Sequence, residues 1–84
     1  MDFTDALKAL KEGYAVENKC WNGKGMYLRL QRPDINSKMT LPYIYINFPK
    51  EHPLYPNKKV PWLASQLDLL SEGWVICDGV EVKE

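Results

Sequence analysis

Four of the chain's six prolines fall within residues 49–61, at positions 49, 53, 56 and 61. No α-helix can cross that stretch, because each proline lacks a backbone N–H and its ring collides with the preceding turn. A central strand is not expected for a related reason: proline cannot donate to a hydrogen-bonded ladder. The segment therefore reads as an exposed loop, and regular structure must be sought before and after it.

Ahead of the loop, Phe3, Ala6, Leu7 and Leu10 recur at helical spacing and form one apolar face. Asp2 can cap this helix, Asp5 stands at the capping-box position, and Gly13 can end it in a left-handed conformation. A helix of about ten residues is unstable alone and must pack on something. Tyr14–Cys20 and Met26–Gln31 read as strands of a hairpin around Asn22-Gly23, a type I′ turn signal. Met26, Leu28 and Leu30 alternate with Tyr27, Arg29 and Gln31. After a polar loop, residues 33–38, a third strand is expected over Tyr43–Phe48 between Pro42 and Pro49.

Beyond the proline stretch, Val60–Ala64 re-enters the fold. Ser65 can cap a short helix to Leu70 with Asp68 at the capping-box position, and Gly73 is expected to end it. Trp74–Cys77 is a last strand. Asp78-Gly79 signals a turn, and Val80–Lys83 can return as a frayed edge strand. Antiparallel strands with helices at the ends imply an α+β fold: a small twisted antiparallel sheet, an N-terminal helix and a short second helix packed on it. With 84 residues this is one small domain, 1–84.

Charge narrows the partners. Eleven Lys and Arg balance eleven Asp and Glu, which argues against binding long nucleic acids through their phosphates, or an anionic membrane surface. No apolar run reaches the roughly 20 residues of a membrane span, and acid near the N-terminus argues against a secretion signal. The expected location is cytoplasmic, with Cys20 and Cys77 as free thiols. Three Trp, five Tyr and two Phe are many for so small a core, so some are expected at a subunit interface or a ligand pocket.

Catalytic chemistry is not legible. His52 is the single histidine, and in the proline loop it reads as a solvated residue. No C-x-x-C or other metal-ligand spacing occurs, and Gly23-Lys24-Gly25 is too short for a phosphate loop. Neither an enzyme nor a cofactor is expected.

Two aromatic–polar clusters remain. In Cys20–Met26, Trp21 offers a stacking face, Asn22 a donor and an acceptor, and Lys24 a cation for phosphate. In Val60–Asp68, Trp62 precedes a helix start at which Ser65, Gln66 and Asp68 supply hydroxyl, amide and carboxylate. Each cluster has a purely structural reading too: Trp21 and Trp62 as core, Lys24 as a turn lysine, Ser65 and Asp68 as caps. Together they point to a pocket for a planar, polar, phosphorylated molecule.

The opening Asp2-Phe3-x-x-Ala6-Leu7-x-x-Leu10-Lys11-x-Gly13 resembles the start of the second type of Thoeris anti-defence protein, a phage and bacterial family sometimes labelled a toxin. So do Trp21-Asn22-Gly23-Lys24-Gly25-Met26-Tyr27-Leu28, Leu41-Pro42-Tyr43-Ile44-Tyr45, Val60-Pro61-Trp62-Leu63-Ala64-Ser65-Gln66-x-Asp68-Leu69-Leu70 and Trp74-Val75. The two tryptophan motifs are its specific parts, and Phe48–Lys59 looks longer than the family's minimal pattern. The resemblance implies a non-catalytic sponge for glyco-cyclic ADP-ribose signals, able to hold cyclic dinucleotides of a related defence pathway at separate sites. It further implies a homotetramer with pockets shared between protomers. Ligand-binding roles carry over to Trp21, Asn22, Trp62, Ser65, Gln66 and Asp68; Lys24 is added on charge alone. The alternatives are a phage interaction module that inhibits a host protein and a small toxin.

Overall fold

The computed structural model describes residues 1–21 and 25–77. The expected hairpin turn at Asn22-Gly23, and the turn and edge strand expected after Cys77, lie outside the described residues. The elements run α1 (Phe3–Lys11), β1 (Val16–Asn18), β2 (Tyr27–Gln31), β3 (Tyr43–Asn47), β4 (Lys59–Pro61), α2 (Gln66–Leu70) and β5 (Trp74–Ile76). All strand pairings are antiparallel, in the spatial order β4-β3-β2-β1-β5. This is the expected α+β arrangement.

Helix α1 begins where Asp2 accepts a hydrogen bond from the Asp5 amide at 3.0 Å, and Gly13 follows it at φ +98°, the left-handed geometry that glycine adopts without a Cβ clash. Ala6 and Leu10 are completely buried, and Phe3 and Leu7 pack at the margin of the same cluster. The opposing wall is Val16 of β1, Leu28 of β2 and Trp74 of β5. Trp74 is the largest side chain fully withdrawn from solvent. Its backbone N–H and C=O both bond to Met1, at 3.1 and 2.8 Å, which covers that side of β5.

Two expectations about element bounds need correction. The proline stretch is not loop to its end, because β4 lies inside it and pairs with β3 in the register Tyr45↔Pro61, Ile46↔Val60 and Asn47↔Lys59. Its position at the margin of the sheet explains how a proline is tolerated there, and the next amide, of Trp62, bonds back to the Ile44 carbonyl at 2.9 Å. Gly73 does not end α2 either. Ser71 is the C-cap, with extended backbone.

Alternation along β2 and β3 does not separate a dry face from a wet one. Arg29 and Tyr45 are register partners on the face opposite Leu28, and both are buried, at 3% and 4% exposure. His52 also departs from its expected solvated state. Its Nδ1 accepts the Leu54 and Tyr55 amides at 3.2 and 2.9 Å, and its ring lies 4.5 Å from that of Phe48 and 5.9 Å from that of Tyr55. It organises the proline loop from within.

Candidate functional site

The second tryptophan motif builds its own helix start. Ser65 Oγ accepts the Asp68 amide at 3.0 Å, and Asp68 Oδ2 accepts the Ser65 amide at 3.0 Å, a reciprocal capping box. Two amides that a helix terminus leaves unpaired are thereby satisfied. The remaining carboxylate oxygen, Oδ1, accepts the Trp21 indole N–H at 3.0 Å. The backbone carbonyl of the same residue accepts the Trp74 indole N–H at 2.9 Å. Asp68 thus receives both indoles, one on its side chain and one on its main chain.

Burial opposes ionisation of Asp68. Hydrogen bonds from Trp21 and from the Ser65 backbone and side chain outweigh it and hold the carboxyl below its ordinary value of 3.8. The group that ties the two tryptophan motifs together is therefore a carboxylate at neutral pH.

Trp74 is the hub of the aromatic cluster. Trp21 meets it edge-on at 5.4 Å and 83°, and Trp62 at 5.9 Å and 87°, both favoured geometries for aromatic quadrupoles. Phe3 lies 5.3 Å from Trp74 and 5.7 Å from Trp62. Trp62 has a second exposure, onto an open groove of about 740 Å³. Leu30, Ile44 and Tyr43 line this groove with it, together with the cationic residues Lys11 and Arg32. A smaller hollow of about 390 Å³ shares Tyr43 and Pro61 with the groove.

Of the residues expected to bind ligand, Trp21, Trp62, Ser65 and Asp68 converge around Trp74 and the start of α2. Ser65 and Asp68 are committed to the capping box, and Trp21 to Asp68. Gln66 is the exposed first residue of α2. Asn22 and Lys24 lie outside the described residues. Sequence reasoning did not place Trp74, Lys11, Arg32 or Tyr43 at the site. Trp74 stood in a motif already noted, but nothing in the local sequence brings Lys11 of the first helix and Arg32 after β2 to the same rim. Among the described residues no group of three or more His, Cys, Asp or Glu could hold a metal ion, and no helix is long and apolar enough to cross a membrane.

The Thoeris anti-defense 2-like domain matches residues 1–77 of this chain. A Bacillus phage SP01 protein named Thoeris anti-defense 2 is 37% identical to it over 83 residues, covering 90% of this chain and 93% of the relative.

Proposed function

The chain belongs to the Thoeris anti-defense 2-like family, and from that premise we propose that it is a sponge: it binds glyco-cyclic ADP-ribose signals in the host cytoplasm and sequesters them without catalysis. A role in phage anti-defence follows from the family. Sequestration is the finer reading, and the observation that carries it is the convergence of both tryptophan motifs on Trp74, with Trp62 facing a groove of about 740 Å³. That volume lies in the usual range for small-molecule sites. A sponge needs only tight binding and slow release, so no proton transfer or covalent step is assigned to any residue. Cyclic dinucleotides are proposed as further ligands at separate sites.

The proposed assembly is a homotetramer. Leu63, Leu67 and Leu70 are 91%, 85% and 77% exposed in the single chain, and covering them in an assembly removes apolar area from water. With a net charge of zero, long nucleic acids are not proposed as partners.

The test incubates purified protein with glyco-cyclic ADP-ribose, measures free signal, then heats the complex and analyses what is released. A sponge depletes the signal and returns it intact. Altered products would indicate an enzyme, and undiminished signal would leave an inhibitor of a host protein as the better reading.

A further inference from the structure

Gly25 and Pro49 are in close contact. Gly25 has φ +87°, and a Cβ at that position would stand 2.9 Å from Pro49 Cβ and 3.4 Å from Pro49 Cγ. Both atoms belong to a ring closed on the backbone, so they cannot swing aside as the end of a flexible side chain would. The contact joins the first tryptophan motif, Cys20–Met26, to the proline loop. Earlier in the same motif, Trp21 is held by Asp68 and Trp74. We propose that the proline loop is a brace for this motif: Pro49 seats Gly25, and His52 fixes Pro49. The brace does not depend on what the protein captures; its effect on capture rests on the sponge reading.

The loop is built to hold that proline. The Pro49 carbonyl accepts two amides, from His52 at 3.1 Å and from Asn57 at 3.2 Å. The Phe48 amide donates to the Lys58 carbonyl at 2.9 Å, and the Lys58 amide to the Tyr55 carbonyl at 3.3 Å. Asn57 takes the left-handed region at φ +58°, which asparagine tolerates better than most residues. His52 acts on both sides of the loop. Its backbone N–H holds Pro49, while its Nδ1 receives the Leu54 and Tyr55 amides. One residue thus ties Pro49 to amides that no helix or strand takes up.

A simple connection would need none of this. β3 and β4 are antiparallel neighbours, which a turn of about two to five residues can join. The chain uses residues 48–58 instead, orders them from within, and sets one of them against a segment outside the loop. A binding motif whose flanks are fixed in advance loses less conformational entropy when a ligand arrives. His52 and Pro49 are therefore positioning residues, acting through Gly25.

The experiment uses the full chain and the variants His52→Ala, His52→Asn, Pro49→Gly and Gly25→Ala, each with a melting curve. NMR follows the Gly25 amide, and calorimetry measures binding of glyco-cyclic ADP-ribose. His52→Ala and Pro49→Gly should shift the Gly25 amide and weaken binding roughly fivefold. His52→Asn should retain the parent's signal and affinity, because its side-chain oxygen can accept the same two amides. Gly25→Ala should lower the melting temperature more in the parent than in Pro49→Gly, where only the φ penalty remains. A Gly25 amide unmoved in both loop variants would overturn the brace, as would equal costs of Gly25→Ala in the two backgrounds. Shifts at Gly25 with binding within about twofold of the parent would overturn the positioning role. A parent that binds no glyco-cyclic ADP-ribose would remove the sponge reading, and shifts at Gly25 would still uphold the brace.

Discussion

The Trp21 indole N–H donates to the Asp68 carboxylate at 3.0 Å across 47 positions of sequence. Through this bond the first tryptophan motif is held against the helix start of the second. The second motif has little scaffold of its own, since α2 is only five residues long and buries none of them. The site is set by a polar contact laid over an aromatic hub.

Acid should release that contact. The folded Asp68 carboxyl titrates below 3.8, so its stabilising contribution is complete above that value and is lost as pH falls through the folded-state pKa. Thermal melts between pH 5 and about pH 2 should show this loss in the parent. In Asp68→Asn the corresponding part of the slope should vanish, with a cost at neutral pH of about 1 kcal/mol from the weakened cap. Parallel pH profiles for the two proteins would contradict the assignment.

Trp21 packs edge-on against Trp74, and two substitutions separate that packing from its proposed role in capture. Trp21→Phe keeps a ring against Trp74 but removes the donor to Asp68, at a cost of about 1 kcal/mol. Trp21→Ala should weaken capture of the cyclic signal by roughly 10- to 100-fold while retaining fold and oligomeric mass. Calorimetry with a melting curve on each variant checks this. Unimpaired capture by Trp21→Ala would move the stacking role to Trp62.

Assembly is read most directly from mass. Light scattering at micromolar concentration should give four times the 9.8 kDa of the chain. A monomeric mass would dismiss the tetramer and leave Leu63, Leu67 and Leu70 as solvent-facing residues.

His52 should be the Nε2–H tautomer, because its Nδ1 accepts two amides and cannot carry a proton while doing so. Nitrogen-15 NMR of the imidazole distinguishes the tautomers. His52→Ala should speed hydrogen exchange at Leu54 and Tyr55 while leaving the global melting point nearly unchanged, since the loop stands apart from the α1–sheet core. A large drop in melting point would show that the loop supports the core.

What the sequence determined by itself was local. Apolar spacing, the Asp2 cap and Gly13 define α1; the Ser65–Asp68 pair defines the start of α2; and alternation between flanking prolines defines β3. Each signal is carried by residues within a few positions of one another, so short-range sterics and hydrogen bonding suffice. Tertiary structure decided the rest. β4 hides among prolines because a strand at the sheet margin needs only one hydrogen-bonded side, supplied here by β3, the strand that precedes it across the proline loop. Arg29 and Tyr45 are buried because packing covers a sheet face that alternation alone cannot assign to solvent or core. The meeting of Trp21, Asp68 and Trp74, and of Lys11 with Arg32, exists only once the antiparallel order brings distant segments together, because such contacts form through the packed sheet and leave no periodic trace along the chain.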